Sequence, residues 1–300
     1  MSPSLRSVLR AALVGAFAAT AASPAAAADK VAVGTGGSAS DAPFYIAYDK
    51  GFFKDEGLDV DLIVLDSGAK VIAPLGTGEL DVGSGALSVG FWNALIRGVK
   101  FRIVADRGHT EPGYLYQTVF MRKDLIDSGQ FKSLKDLKGM RMGFAAQGVT
   151  SLSLLNEAKE QGWGDLLFDG TDETIWNKYI GGKVPVTSHF TVQSTIDKDP
   201  AKMQAFVTAI WRATQWIKTH TPDQIYDAIE PYVGSTSRSA NILEITALQK
   251  VVDYNATIDA ADFARGEKVW FREMTGIKPL TIADVVSPGF IEAARKAYPA

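Results

Sequence analysis

The stretch that decides the fold lies near the start of the chain and reads Gly34-Thr-Gly-Gly-Ser-Ala-Ser-Asp-Ala-Pro-Phe-Tyr-Ile-Ala-Tyr-Asp-Lys-Gly-Phe-Phe53. It follows a short β-like run at 30–33 and opens with small polar residues. Asp41 is a candidate N-cap, and Pro43 stands near the first position of a helix predicted over 43–53. A strand that runs through such a loop into a helix presents backbone N–H groups to an anion or a polar solute. The stretch therefore predicts a binding site.

Strands and helices alternate along the rest of the first half. Apolar or alternating runs predict strands at 30–33, 58–65, 80–84 and 101–105. Helices are predicted between them and over the late part of the chain, at 86–96, 200–218, 222–232, 239–254, 260–275 and 281–298. A strand at 140–145 followed by small residues at 148–151 repeats the opening arrangement. This alternation predicts an α/β fold whose mostly parallel sheet is covered on both faces.

Composition excludes several function classes. The 300 residues are 46% hydrophobic and 22% charged, with a formal net charge of −3, which is ordinary for a globular protein. A nucleic-acid-binding protein would usually be basic, so none is expected as a partner. The absence of Cys excludes disulfides and thiolate ligands. With only three His residues, neither a metal site nor a cofactor is predicted.

The first 28 residues have the pattern of a cleavable signal peptide. Arg6 and Arg10 precede or flank the apolar run 11–22, and Ala26-Ala27-Ala28 forms a small-residue cleavage site. Ser23 and Pro24 end the run before it reaches the length of a membrane-spanning helix. We therefore expect cleavage near Ala28, a periplasmic location and no membrane insertion.

Four segments in order resemble one family. They are Ala42-Pro-Phe-Tyr-Ile-Ala-Tyr-Asp-Lys-Gly-Phe-Phe-Lys-Asp-Glu-Gly-Leu-Asp-Val60, Gly76-Thr-Gly-Glu-Leu-Asp-Val-Gly-Ser84, Lys135-Asp-Leu-Lys-Gly-Met-Arg-Met-Gly-Phe144 with Gly148-Val-Thr-Ser151, and Asp199-Pro-Ala-Lys-Met-Gln-Ala-Phe206. Together they resemble the periplasmic solute-binding proteins of the thiamine-precursor, nitrate, sulfonate and taurine group, which serve ABC importers. The resemblance covers most of the chain after residue 28.

The resemblance implies a two-lobed, type II periplasmic binding protein with a ligand cleft between the lobes. Residues 29–117 and 189–300 would form lobe 1 with the C-terminal helices, and residues 118–188 would form lobe 2. In this chain the segment Glu157–Trp163 joins two regions that the family separates by a further βα unit of about 30 residues. The second lobe is therefore expected to be shortened.

The resemblance also implies where the solute binds and what the protein does. The predicted ligand-binding residues on these loops of both lobes are Ser38, Ala39, Ser40, Asp41, Ser84, Gly85, Ala86, Ser88, Gln147, Gly148, Thr150 and Ser151. Arg107 and His109 are added independently of the resemblance, because they follow the fourth predicted strand at the edge where α/β clefts lie. A monomer would capture a small organic solute and deliver it to an inner-membrane permease and its ATPase. Two helix N-termini facing the cleft favour a carboxylate, sulfonate or phosphate.

Several of these residues could instead have a purely structural role. The polar residues at 38–41 also suit a plain capped turn, and the small residues at 84–88 also suit helix packing. Arg107 is either a bidentate partner of an anionic solute or a solvated loop charge. His109 and His189 also read as polar loop or hinge residues, and Trp211 and Trp216 as core.

Three functions other than solute transport match parts of the sequence, namely solute sensing, pyrimidine synthesis and dinucleotide binding. The same fold could present its solute to a receptor as a sensory module. An exported pyrimidine-synthase-like enzyme is disfavoured, because the form known to us carries a cysteine-rich motif and this chain has no Cys. The spacing Gly34-x-Gly36-x-x-Ala39 loosely matches a dinucleotide fingerprint, but an export segment and the inserted Asp41-Ala42-Pro43 argue against it.

Overall fold

One five-stranded sheet organises the described part of the chain, in the order β2-β1-β3-β5-β4. The structure, a computed structural model, describes residues 28–65, 67–110, 121–133, 136, 140, 173–234, 237–270 and 280–299. The strands are β1 (Asp29–Thr35), β2 (Leu58–Val64), β3 (Val82–Ala86), β4 (Phe101–Thr110) and β5 (Val184–Val192). The four strands predicted in the first half are thus confirmed. The strand predicted at 140–145, apart from residue 140, and the small residues at 148–151 lie outside the described residues.

The strand directions bring the functional loops to one edge of the sheet. β1 pairs in parallel with β2 and β3, while β5 is antiparallel to both β3 and β4. The carboxyl ends of β1, β2, β3 and β4 therefore meet at the same edge, where ligands bind in open α/β sheets.

The described residues form thirteen α-helices and two short 3-10 helices, at Ala39–Asp41 and Gly68–Val71. They are α1 (Ala42–Asp49), α2 (Phe52–Asp55), α3 (Ile72–Thr77), α4 (Val89–Ile96), α5 (Lys123–Asp127), α6 (Glu173–Tyr179), α7 (Gln193–Lys198), α8 (Pro200–Thr219), α9 (Pro222–Ile229), α10 (Arg238–Val251), α11 (Ala260–Trp270), α12 (Ile282–Val285) and α13 (Gly289–Ala297). Among the residues described, no helix combines the length and apolarity that crossing a bilayer requires.

Two predicted helices are each divided. The helix predicted over 43–53 becomes α1 and α2, because Gly51 between them adopts a left-handed conformation with φ of 75°. The helix predicted over 281–298 becomes α12 and α13, and Pro288, which has no N–H to donate, stands between them. The long helix at 200–218 is confirmed as α8, where the Asp199 side chain accepts the N–H of Lys202 at 2.8 Å.

The sheet has an apolar core on each face. On one face α1, α8 and α9 cover Val31 and Val33 of β1, with Phe44 and Phe206 among the fully buried rings. On the other face α4 and α11 bring Trp92 and Trp270 against the strands. Trp211 of α8 is buried, as predicted for a core residue, and Trp216 packs partly buried against the first core. Both faces being covered confirms the predicted α/β layering.

Candidate functional site

The candidate site lies at the edge where β1, β2 and β3 end. The segments that follow these strands are held together by close backbone contact between Gly68 and Gly85. A Cβ on Gly68 would lie 2.7 Å from the Gly85 Cα, a distance that real side chains do not show. Gly85 is buried, and Ala86 beside it is half-buried. Sequence reasoning named Gly85 but not Gly68, since a glycine in a loop has no local pattern that reveals its partner.

Asp41 lies at the N-cap position of α1 without capping it. Its side chain makes no capping hydrogen bond to that helix. The carboxylate turns back, where Oδ2 accepts the Gly36 N–H at 2.7 Å and Oδ1 accepts a hydrogen bond from Nη1 of Arg107. The predicted side-chain cap was therefore wrong, because a buried guanidinium offers this carboxylate a stronger, charge-assisted bond.

Arg107 lies inside β4 rather than after it. The sequence predicted that the fourth strand ends at Ala105, but β4 continues to Thr110 because its polar end pairs with β5. The reading of Arg107 as a solvated loop charge was wrong, since its side chain is only 4% exposed and ion-paired with Asp41. A buried ion pair of this kind requires both partners, because removing one leaves an uncompensated charge in a low dielectric.

Tyr45 and Thr35 are buried near this ion pair and are joined by a hydrogen bond. The Tyr45 hydroxyl donates to Oγ1 of Thr35 at 3.3 Å, and its ring stacks on Tyr232 with 5.4 Å between ring centroids. Burial, followed by the nearby Asp41 carboxylate, raises the pKa of Tyr45 to about 12. Tyr45 therefore stays protonated and acts as a hydrogen-bonding group.

Ser84 and His189 are buried polar residues on the same face of the sheet. They stand directly opposite each other in the β3–β5 pairing, and the His189 ring lies 4.7 Å from the ring of Phe44 in α1. Oγ of Ser84 and both ring nitrogens of His189 have no hydrogen-bond partner among the described residues. Burial and the positive charge of Arg107 hold the pKa of His189 well below its ordinary value, so the ring is neutral.

The reading of His189 as a loop residue was wrong, while its reading as a hinge residue stays a prediction. This residue lies in the middle of β5 and is 1% exposed. Every residue of Val184–Val192 is buried, so the strand shows no alternation between a polar and an apolar face. For this reason the burial of its Thr, Ser and His residues could not be predicted from the sequence.

The mouth of the site combines Ser38, Ser40 and a residue from a distant helix. The hydroxyls of Ser38 and Ser40 are 2.7 Å apart, and the Ser40 N–H donates to Oε1 of Glu244 at 3.1 Å. Glu244 lies on α10, and its carboxyl has a raised pKa, chiefly because the carboxyl is partly desolvated. Sequence reasoning missed Glu244, since 204 residues separate it from Ser40. Ala39, between the two serines, is fully buried.

Ser88 is a structural residue of the neighbouring loop. Its hydroxyl caps α4 by accepting the N–H of Phe91 at 3.4 Å, and the residue is buried. The helix predicted from residue 86 accordingly begins at Val89. This arrangement favours the packing reading for Ser88 over ligand contact.

His109 belongs to a second group, with Asp106 and Asp253, and the reading of His109 as a loop residue was wrong. All three are buried, and one ligand atom from each lies within 4.8 Å of the others. His109 Nδ1 lies 4.0 Å from Asp106 Oδ2, because bulges in β4 turn residues three apart toward the same side. Among the described residues this group has the chemistry to hold a metal ion, which the sequence did not predict.

The predicted site residues on lobe 2, Gln147, Gly148, Thr150 and Ser151, lie outside the described residues. The structure thus brings together Ser38, Ser40, Asp41, Ser84 and Arg107 at one edge. It places His109 with the separate group at the margin of the sheet. Whether these residues contact a solute stays a prediction.

Comparison with known proteins shows which family and which fold this chain resembles. Residues 38–165 match the family model described as NMT1/THI5 like. YtlA of Bacillus subtilis (strain 168), described by name as a binding protein, is 27% identical over 265 residues, covering 76% of this chain and 76% of YtlA.

Solved structures share the fold. A protein from Bordetella bronchiseptica RB50 superposes with a TM-score of 0.72 and 21% identity, covering 91% of this chain and 98% of that one. SsuA from Methylobacillus flagellatus KT, described as a periplasmic sulfonate-binding protein, gives a TM-score of 0.57 and 16% identity, covering 90% and 95%. The family resemblance and fold class predicted from the sequence are therefore confirmed. The chain resembles the NMT1/THI5-like family in sequence over residues 38–165 and has the α/β fold of the two-lobed periplasmic binding proteins.

Proposed function

We propose that this chain is the periplasmic solute-binding component of an ABC importer. It captures a small organic solute, of the nitrate, sulfonate, taurine or pyrimidine-precursor type, and delivers it to an inner-membrane permease and its ATPase. The family match and the shared fold support a binding role. A fold alone does not define function, which depends on the residues of the site.

One observation carries the proposal. Three buried polar atoms, Oγ of Ser84 and the two ring nitrogens of His189, have no hydrogen-bond partner among the described residues. His189 is near enough to Arg107 for its positive charge to lower the pKa of the ring, and Ser84 is the cross-strand neighbour of His189. Buried polar atoms left without partners cost stability, so a fold that retains them commonly uses them to bind a polar molecule.

Binding would proceed without turnover. The loops at 36–41 and 84–88 form one wall, and the predicted loop at 147–151 of lobe 2 would form the other. A solute that contacts both walls only when they close favours the closed form, which the permease then engages. Residues 1–28 would direct export and be removed near Ala28, leaving a monomer in the periplasm.

Mass spectrometry of the protein isolated from the periplasm tests the proposal. We expect one small solute to be released on denaturation, and we expect its mass to be unchanged after prolonged incubation with the folded protein. Solute converted to a product would instead indicate an enzyme. A protein that carries no solute and shows no thermal shift with anionic, heteroaromatic or cationic candidates would contradict a binding role.

A further inference from the structure

Several backbone N–H groups of the loop at the start of α1 are already bonded within the chain. The Gly36 N–H donates to the Asp41 carboxylate at 2.7 Å, and the Ser40 N–H donates to the Glu244 carboxylate at 3.1 Å. The Gly37 N–H bonds the Tyr45 hydroxyl. These are the groups that an incoming anion would use at such a loop, and two of the three are already bonded to carboxylates.

The helix start offers little in addition. The Asp41 N–H bonds the Ser38 carbonyl at 3.0 Å, and the Ala42 N–H bonds the Ala39 carbonyl. Pro43, the next residue, has no N–H. The expectation that this helix N-terminus attracts a carboxylate, sulfonate or phosphate is therefore weakened by the hydrogen bonds that the structure shows.

The positive charge of Arg107 is neutralised by a carboxylate of the chain. Arg107 is ion-paired with Asp41, and both side chains are almost fully buried. His189 beside them is neutral. Among the described residues, the carboxylate at the mouth of the site is that of Glu244, which accepts the N–H of Ser40 near the paired hydroxyls of Ser38 and Ser40. An anionic solute would meet like charge there, whereas a donor or a cation would meet an acceptor.

We infer that the solute presents a positively charged or hydrogen-bond-donating nitrogen, such as an ammonium group or the amino group of a heterocycle, to Glu244 and the Ser38–Ser40 hydroxyls. This inference rests on the proposed function and names its solute class. Asp41 and Glu244 act as resident anions that reject an anionic group at this wall. Ser84 and His189 supply neutral hydrogen-bonding partners for the rest of the solute.

An anion-rescue experiment tests the resident-anion role without knowledge of the solute. Asp41→Ala vacates the carboxylate position and leaves Arg107 unpaired, so we expect the Tm to fall by roughly 6–10 °C. Formate should then restore at least half of that loss with a saturable dose response, while wild type shows no saturable response. Asp223→Ala, which breaks an exposed pair with Arg238, is the control and should show no rescue.

Asp41→Asn covers the case in which the alanine variant does not fold, since the amide keeps the side-chain volume. We expect nitrate or formate to stabilise Asp41→Asn more than wild type, because removing the carboxylate's charge removes its repulsion. Wild type that is stabilised by formate as strongly as both variants would overturn the inference, since an anion would then bind with Asp41 in place.

A probe panel tests the solute class. Ethanolamine, choline and 4-aminopyrimidine are compared with nitrate, sulfate and methanesulfonate by thermal shift and calorimetry on the full-length mature protein. We expect saturable binding only within the first group, and Glu244→Gln should weaken it about tenfold or more. Glu292→Gln, an exposed carboxylate on α13, should leave the affinity unchanged.

The outcomes separate the two claims. Saturable binding of nitrate or methanesulfonate to wild type would overturn the solute class and leave the binding function standing. Binding of neither group, together with no solute in the isolated protein, would remove the proposed function and the solute class with it. Formate rescue of Asp41→Ala would still report on the resident anion in that case.

Discussion

Asp41 and Arg107 are separated by 66 residues in the chain, yet they form an ion pair in which the two side chains are only 3% and 4% exposed. The pair joins the loop after β1 to the polar end of β4. Because one carboxylate bonds both Arg107 and the Gly36 N–H, it fixes the loop conformation and the charge of the candidate site together. The conformation of the loop and the charge of the candidate site therefore depend on the same contact.

Removing Arg107 should destabilise the protein. Arg107→Met leaves Asp41 buried without its counter-ion, and we expect the free energy of unfolding to fall by about 3–5 kcal/mol. The double variant Asp41→Asn/Arg107→Met removes both charges and should recover much of that loss. Urea unfolding at neutral pH measures both. Arg238→Met, which breaks exposed pairs with Asp223 and Asp227, is the control and should change the stability far less than Arg107→Met.

Gly68 should not tolerate a side chain. The added Cβ of Gly68→Ala would lie 2.7 Å from the Gly85 Cα and 3.2 Å from the Ser84 carbonyl oxygen, so backbone must move. We expect a loss of about 1–3 kcal/mol in unfolding free energy. Gly76→Ala in α3 is a matched control, because its nearest neighbour is Val99 Cγ1 at an ordinary 3.7 Å and alanine favours the helix by up to about 1 kcal/mol. Equal stability of the two variants would contradict the contact.

His189 should make the fold sensitive to acid. Its pKa is held well below the ordinary value in the folded protein, so below about pH 6.5 the unfolded chain takes up a proton that the folded protein refuses. The stability present above that pH is lost as the pH falls toward the lower, folded pKa. The slope approaches about 1.4 kcal/mol per pH unit.

His189→Leu removes this acid sensitivity. We expect the variant to lose less stability than wild type between pH 7 and pH 5, and to bind solute more weakly. His220→Leu changes a histidine that stacks on Trp216 outside the site and serves as the control. An unchanged pH profile for His189→Leu, measured by thermal unfolding across that range, would show that the ring is not a neutral buried group.

Ser84→Ala should separate stability from binding. The hydroxyl is fully buried and has no partner among the described residues, so its removal should leave the stability unchanged or raise it by about 1 kcal/mol. Binding of the co-purified solute should weaken, because the solute loses one partner. Thermal unfolding and titration calorimetry measure the two effects. A marked loss of stability with unchanged affinity would instead assign Ser84 a purely structural role.

The local features of the fold could be read from the sequence. The strands predicted at 58–65 and 80–84 correspond to β2 and β3, with β3 displaced by two residues, and α8 was predictable from its Asp199-Pro200 start. These signals depend on neighbours within a few residues. The division of the last helix at Pro288 follows the same local chemistry, but it was not predicted, because apolar periodicity continued through it.

The polar part of the sheet could not be read in this way. Residues 106–110 look like a loop in isolation, since Asp, Arg and His rarely end a buried strand. They extend β4 because they pair with the backbone of β5, which lies far away in the sequence. The Ser188 hydroxyl of β5 also donates a hydrogen bond to Asp106 at 3.0 Å. Pairing between distant strands overrides local propensity here.

The sequence by itself determined the α/β alternation and the small-residue loop that leads into α1, because backbone geometry and capping are set by residues next to one another. The tertiary structure alone decided which charges meet at that loop. Asp41 bonds Arg107 instead of its own helix, and Glu244 reaches Ser40 across 204 residues. The physical reason is that a buried charge without a partner is unfavourable, and only the folded chain brings the partners within hydrogen-bonding distance.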